Sequence, residues 1–579
     1  MEYGTIWKIG KPANDDDDSN ADARVQLCQA FNVVGRASNL AGDADAGVII
    51  EFVNENGNKV EKTIYKRDLI VSTGKGVLDI LADAGMTIYT RKPRDKDALL
   101  NLLTVLKTTR HIRTTPRPGW VRDEGGNIIG FMPPTGNYIE AGSPAPFRLS
   151  TDAMMADKKT AGTLEGWQVC AEAGLSHVGN FYWGFGVCSA FAGPLLGLAG
   201  MPACGAHFSG ASSLGKSLAI LLGGAAWGTT ASKKGVVYKM NTTTNASEDL
   251  ASIGSESFLG LDETSMMENP KLLDTMLFSL AEGAPKSRKK GSGAGLVAGV
   301  DYLPCILMCG ERSLKTLIEN AGGDYKTGIS VRFPDISVSA GKKVSAEEIA
   351  VMENVTRNYG HAGPAFVRWL IAEGWHKRGT ELRKRIDDAA HKLSSGGTAA
   401  QGRAAKVFAL VQIAGQLAIE AGILPEHQKG RVVDCVKDAW TAFMASDEGR
   451  ATDAESSLLD DFRAWCIANT GRQLTDTTGE DEPDAKTTQE RRGWVTKTQI
   501  VLLTAKLDMK AMNLKGSRDD LFKALGLALK QSGKNNTHTK LPAACGGGVA
   551  SNVRLDRNEL GIPYEYTADA DGEAVSIAA

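Results

Sequence analysis

The 579-residue chain is 42% hydrophobic and 23% charged, the proportions of a globular protein with length for three or four domains. Its formal net charge of −2 excludes nucleic-acid recognition by bulk charge, so any such contact has to come from a local patch. The nine cysteines are spread singly with no CxxC pair, and no basic-then-apolar leader opens the chain; both features point to a reducing cytoplasm rather than a disulfide framework.

Residues 1–165 read as an N-terminal α+β domain. Asp15 to Asp18 form an acidic, solvated loop. Gly47 to Val53 and Val60 to Tyr65 flank Asn56-Gly57, a pair suited to a tight turn, and predict a β-hairpin. Val77, Leu78, Ile80 and Leu81 give an apolar face to a short helix over Gly76 to Ala84. Trp120 to Met132 predicts a second hairpin around Gly125-Gly126. Between the hairpins, Arg110, Arg113 and Arg117 make a local basic cluster, readable as a solvated loop or as a DNA contact. No zinc spacing or metal-binding acidic triad supports a primase activity in this region.

No Asp, Glu, Lys or Arg occurs between Glu172 and Lys216, a length that would span a bilayer. Pro194, Pro202 and many glycines interrupt it, and it ends in a loop that has to meet a water-borne ligand. A buried helix-then-strand is the better reading, with no membrane partner. The loop follows in His207 to Ile220, HFSGASSLGKSLAI, where Gly210, four residues and Gly215-Lys216-Ser217 fit GxxxxGK[ST] without substitution. Glycines let successive N–H groups approach a phosphate closely, and the helix that follows adds the positive end of its dipole. Gly210, Ala211, Ser212, Ser213, Leu214, Gly215, Lys216 and Ser217 are therefore the predicted ATP cradle. Lys216 reaches the β- and γ-phosphates and the Ser217 hydroxyl ligates Mg²⁺. Apolar stretches on both sides, Cys204 to Phe208 and Leu218 to Trp227, supply the buried strand and packed helix that such a loop needs.

Phe258-Leu-Gly-Leu-Asp262-Glu263 is a mostly apolar strand ending in paired acids. In a phosphate-loop enzyme Asp262 holds Mg²⁺, usually through water, and Glu263 polarises the attacking water. The 46 positions from Lys216 to Asp262 suit one intervening βα unit. Lys286, Arg288, Lys289 and Lys290, beside Gly291 and Gly293, predict an exposed loop or hairpin, open to a solvated or a DNA-contacting reading. Leu303 to Cys309 is the next apolar strand, with buried thiols rather than metal ligands at Cys305 and Cys309. Arg332, in the strand-like run Gly328 to Phe333, is the first candidate for an arginine lent to a neighbouring subunit's nucleotide. Arg312 is the second, and structural ion pairing is the alternative for either.

Residues 347–450 turn helical. His361, in Tyr359-Gly360-His361-Ala362-Gly363-Pro364, reads as a packed histidine rather than a nucleotide contact. Arg403 precedes the helix Arg403 to Gly422 and is a further phosphate candidate. In the tail, Leu458, Leu459, Phe462, Trp465 and Cys466 form a helical stripe of core type. A helix from Asp519 to Gln531 and a Gly-rich strand region to Leu555 then resemble a winged-helix module, with Lys530, Lys534, Lys540 and Arg554 available to phosphates.

Together, Gly166-Trp167, Phe191 to Leu196, HFSGASSLGKS, Ala226-Trp227-Gly228, Leu261-Asp262-Glu263, Gly283 with Lys286 and Arg288, Gly310-Glu311, Val331-Arg332, Tyr359 to Gly363 and Ala414-Gly415 resemble one family. It is the uncharacterised-domain family of phage, plasmid and genomic-island proteins described as superfamily II helicase/primase-like AAA+ ATPases, related to self-loading minichromosome-maintenance-like replicative helicases. The resemblance extends over about residues 165–425. It implies an α/β AAA+ phosphate-loop core over 166–346 between the N-terminal α+β domain and a helical lid over 347–450, with a winged-helix-like domain over 451–579. It implies a hexameric, ATP- and Mg²⁺-dependent motor that moves along DNA, with Glu263 catalytic and an arginine acting across the subunit interface. One departure is Met308-Cys309, where relatives carry small hydroxyl residues; a γ-phosphate sensor there is weakened or moved to Glu311. The expected activity is DNA unwinding for replication of a mobile element. The alternative is a nucleotide switch in antiphage defence or DNA partition that assembles without unwinding.

Overall fold

The computed structural model describes residues 4–10, 23–70, 75–142, 146–150, 160–231, 235–241, 244–267, 270–284, 288–289, 296–297, 301–323, 325–339, 341–452, 454–478, 491–514, 517–525, 538–541, 545, 549–560 and 562. The chain divides into two compact units, Met1–Gly449 and Arg450–Ala579.

The first unit opens on antiparallel pairing set by alternating side chains. Gly47–Val53 pairs with Lys59–Tyr65 through the Asn56-Gly57 turn, as the sequence predicts, within a sheet completed by Asn32–Asn39, His111–Thr115 and Phe147–Leu149. The helices Lys75–Asp83 and Pro93–Val105 put Leu78, Leu81, Leu99 and Leu103 into one core with Phe52 and Ile64 of that sheet. The second predicted hairpin forms between Gly119–Arg122 and Ile128–Met132. Asp15 to Asp18 lie outside the described residues.

Three helices lead into the central sheet: α1 (Leu164–Ser176), α2 (Phe181–Ser189) and α3 (Ala192–Ala199). The uncharged stretch is thus two short helices, bent by 53° at their junction, and a strand. No single helix among the described residues is long and apolar enough to cross a membrane. The strands of the central sheet are β1 (Cys204–Ser209), β2 (Val237–Lys239), β3 (Phe258–Asp262), β4 (Cys305–Gly310) and β5 (Asp335–Ser337). All are parallel, in the order β2-β3-β4-β1-β5.

Strand β4 shows why the sheet needs apolar residues on both faces. Cys305, Leu307 and Cys309 point into a core with α1, α2, the helix α4 (Lys216–Gly224) and the helices Ala399–Glu420 and Lys429–Ala445. Ile306 and Met308, one residue out of phase, point into a second core with Thr244–Ile253, Leu273–Glu282 and Leu314–Asn320. A parallel sheet covered on both faces reads as a continuous apolar run for this reason. The carboxyl ends of β1, β3 and β4 meet at one edge, where open α/β sheets bind ligands.

Two elements depart from expectation. Gly328 to Phe333 is not a strand: Thr327–Ser330 is a short helix followed by a turn, and the strand begins at Asp335. Ile329 and Phe333, four residues apart, are both buried in one core, and the Phe333 N–H bonds to the Ile329 carbonyl at 2.7 Å. That is a helical spacing which the short apolar run conceals. Arg403 also lies within a helix rather than before it, because Thr398 and Gln401 form a capping box that starts Ala399–Glu420 upstream.

In the second unit, Leu458, Phe462 and Cys466 of the helix Ala454–Asn469 enter a core with Leu521 and Leu525, as their helical spacing predicts. The sheet runs in the order Leu474–Asp476, Gly493–Val495, Gln499–Leu503, Val549–Asp556, His538–Lys540. The described part of the predicted 519–531 helix is Arg518–Ala524; Lys530 and Lys534 lie outside the described residues.

Candidate nucleotide site

Two positions force the loop after β1 to be glycine. Gly215 has φ +81°, and an added Cβ would stand 3.0 Å from the Trp183 ring. At Gly210 an added Cβ would meet the Val338 carbonyl at 2.2 Å. The loop is suspended from outside itself. Trp183 donates from Nε1 to the Gly215 carbonyl at 2.9 Å, Tyr182 donates its hydroxyl to the Leu214 carbonyl, and the Val338 N–H holds the Ser209 carbonyl at 2.7 Å. Lys216, 7% exposed, opens α4 and turns its Nζ back to the carbonyls of Gly210 (2.8 Å) and Ala211 (2.6 Å).

The acids of β3 reach the same place. The Ser217 hydroxyl donates to Asp262 Oδ1 at 2.8 Å, and the Cys309 thiol at the end of β4 donates to the same oxygen at 3.0 Å. Burial, reinforced by the Asp262 charge, pushes the Cys309 thiol up to about 12, so it stays protonated and acts as a donor. Lys239 Nζ stands 3.9 Å from Asp262 Oδ2. Glu263 has φ +60° and accepts a hydrogen bond from the Ser265 hydroxyl.

Beside these groups is a cavity of about 700 Å³, lined by Ser212 to Leu218 together with Glu263, Cys309, Glu311, Lys342 and Lys343. A concave site of this size, with a glycine-bearing loop, a buried lysine and a hydroxyl–carboxylate pair, has the groups that could hold a polyphosphate and its cation. The fit to Mg²⁺ rests on hard oxygens: Ser217 and Asp262 are close enough to share one ion, directly or through water. The described residues contain no cluster of three or more His, Cys, Asp or Glu side chains able to hold a metal. Phosphate oxygens and water would complete such a shell, as Mg²⁺ prefers.

The structure brings Ser212 to Ser217, Glu263 and Glu311 around one cavity, with Asp262 bound to Ser217; Gly210 and Ala211 do not line it and meet Lys216 through their carbonyls. It does not bring the two arginines to this chain's cavity. Arg332 is half-buried, donates to the Gly328 carbonyl at 3.1 Å and lies over the Phe278 ring; Arg312 is exposed. His361 is packed, with Nε2 3.2 Å from the Ala161 carbonyl, and does not line the cavity. Arg403 is exposed and does not line it either. Of the basic loop, Lys286 and Lys290 lie outside the described residues, while Arg288–Lys289 pairs antiparallel with Leu296–Val297. Of the N-terminal arginines, Arg110 is exposed, but Arg113 binds Ser38 and the Asn39 carbonyl, and Arg117 pairs with buried Glu256 at 3.2 Å. Sequence reasoning missed Tyr182, Trp183, Lys342 and Lys343. The first two gave no signal beyond an apolar run; the lysine pair follows β5 at the edge where ligands bind.

Residues 2–295 match the family described as "Domain of unknown function (DUF927)". The chain belongs to the DUF927 family. This DUF927 chain shares its fold with a solved structure described as "SCCmec type IV Cch - active helicase", at a TM-score of 0.63 and 18% identity, over 93% of this chain and 96% of that one. A second solved structure, NtrX from Brucella abortus in complex with ATP, is similar at a TM-score of 0.18 and 15% identity over 42% of this chain and 65% of that one, too little to bear on the fold. No curated protein sequence matches the chain.

Proposed function

We propose that this DUF927 protein is an ATP-dependent DNA helicase serving replication of a mobile genetic element, working as a hexameric AAA+ motor. The observation that carries the reading is the convergence of Lys216, Ser217, Asp262 and Glu263 at one edge of a parallel sheet, with Ser217 and Asp262 2.8 Å apart. In this reading the loop amides and Lys216 hold the β- and γ-phosphates, and Mg²⁺, when bound, neutralises charge between them. Glu263 accepts a proton from the water that attacks the γ-phosphorus.

Strand β4 lies between β1 and β3, so its end, Cys309 and Glu311, reports on the loop and the acids at once. In this reading Arg332, half-buried and away from its own chain's cavity, is the arginine lent to a neighbour, with Arg312 the second candidate. An arginine supplied in trans is worth about 10³–10⁵ in turnover. The Arg288–Lys289 ribbon and its flanking cations, Lys286 and Lys290, act as the DNA-gripping loop, residues 347–450 as a lid, and residues 451–579 as a winged-helix-like module for duplex DNA. The fold shared with a solved structure described as an active helicase favours unwinding over a pure nucleotide switch.

The test is strand displacement on forked DNA with ATP and Mg²⁺. ATP-dependent unwinding, lost when Lys286, Arg288, Lys289 and Lys290 are neutralised, is the expected result. DNA-independent turnover with no displacement would replace this reading with the switch.

A further inference from the structure

The phosphate-loop strand carries a histidine that the hydrolysis scheme leaves unused. His207 is 0% exposed, in the middle of β1, with Asp335 (1%) and Thr264 (1%) as its side-chain partners. Its Nδ1 stands 2.9 Å from Asp335 Oδ2 and its Nε2 3.0 Å from Thr264 Oγ1. Asp335 also accepts from the Ser209 hydroxyl at 2.5 Å and from the Leu314 N–H at 2.6 Å. The ring thus bridges the Asp335 carboxyl group and the Thr264 hydroxyl, one nitrogen to each. Every polar atom of this buried line has a partner, which is the condition for such a line to be rigid.

Thr264 follows Glu263 directly. Glu263 sits at φ +60° and ψ +68°, a left-handed conformation that a side chain holds only when its neighbours impose it. On one side Asp262 is anchored by Ser217 and Cys309. On the other, Thr264 is anchored by His207. The end of β4 closes on the same point: a Cβ on Gly310 would lie 2.1 Å from Thr264 Oγ1. Asp335 in turn begins β5 just after Arg332. The Arg332 carbonyl accepts from the Gly205 N–H at 3.1 Å, and the Pro334 carbonyl from the His207 N–H at 2.9 Å.

We propose that Asp335, His207 and Thr264 form a positioning line that holds Glu263 at the attacking water and ties its placement to the segment bearing Arg332. The inference rests on the hydrolytic reading of the site. His207 touches no reacting atom; it acts through Thr264.

The experiment compares full-length Thr264→Val, which keeps the side-chain shape and removes the hydroxyl, with Thr264→Ser, which keeps the hydroxyl. ATP binding, KM and kcat are measured for each, with Glu263→Gln as control. Thr264→Val is expected to lose roughly 10- to 100-fold in kcat, since small misplacement of a catalytic group costs that much. Its KM and nucleotide affinity stay within about twofold, and Thr264→Ser recovers kcat to within about threefold of wild type. Should Thr264→Val fail to fold, Thr264→Ala carries the same comparison. Wild-type kcat in the hydroxyl-free variant, or a kcat loss matched by an equal loss of binding, overturns the positioning line while Glu263→Gln stays inactive. Full hydrolysis by Glu263→Gln instead overturns the functional reading beneath it.

Discussion

Replacing Arg117 by methionine removes the cation from a buried carboxylate. Glu256 is 3% exposed and accepts from the Arg117 guanidinium at 3.2 Å and from the Trp120 N–H at 2.8 Å. Burial raises its pKa above the usual carboxylate value even with Arg117 opposing the rise. Breaking one partner of a buried pair costs about 3–5 kcal/mol, because the other charge stays behind without compensation. The lower end, about 3 kcal/mol, applies here: the Arg117 side chain keeps 22% exposure and the Trp120 N–H bond remains. The sign with pH follows from the raised pKa. A carboxyl whose folded pKa lies above its unfolded one stabilises the fold at low pH, and that contribution is lost as pH rises through the folded value. Without Arg117 the folded value rises further, so the deficit of Arg117→Met grows with pH. The assay is urea unfolding followed by tryptophan fluorescence at about pH 5.5 and about pH 8. The deficit is expected to be larger at the higher pH and mostly restored in Arg117→Met/Glu256→Gln, where no charge is buried. Equal deficits at both pH values, or a double variant no better than the single one, would refute the reasoning.

Two predictions concern the phosphate cradle. Gly215→Ala forces a side chain into φ +81° and against Trp183; the strain of about 1–2 kcal/mol should weaken ATP binding roughly tenfold in a fluorescent-nucleotide titration. Ser217→Ala removes the hydroxyl 2.8 Å from Asp262 and should raise the Mg²⁺ concentration for half-maximal turnover by roughly 10- to 100-fold. Nucleotide binding in the absence of the cation is expected to change little, which separates the metal role from the cradle.

The turn between β1 and α4 was legible because its backbone requires Gly210 and Gly215 and because the apolar runs on either side mark a buried strand and a packed helix. Strands β1, β3 and β4 were legible because burial on both faces leaves an apolar run. Trp183 and Tyr182 were not: an aromatic inside an apolar helix looks like core until its ring nitrogen or hydroxyl is seen on a loop carbonyl. Arg117 read as surface because its partner, Glu256, lies 139 positions away. Gly328 to Phe333 misled for a local reason: six residues are too few to separate a strand's period from one helical turn. His207 gave no signal of its own because its partners, Thr264 and Asp335, lie 57 and 128 positions away.

The central claim is that Glu263 drives hydrolysis of a nucleotide held by the loop of Gly210 to Ser217. Single-turnover ATP hydrolysis by Glu263→Gln, measured beside its ATP affinity, tests this most directly. The account predicts wild-type affinity with hydrolysis slowed by about 10²–10⁴, the worth of a positioned general base. Hydrolysis at the wild-type rate with ATP bound as tightly would contradict it.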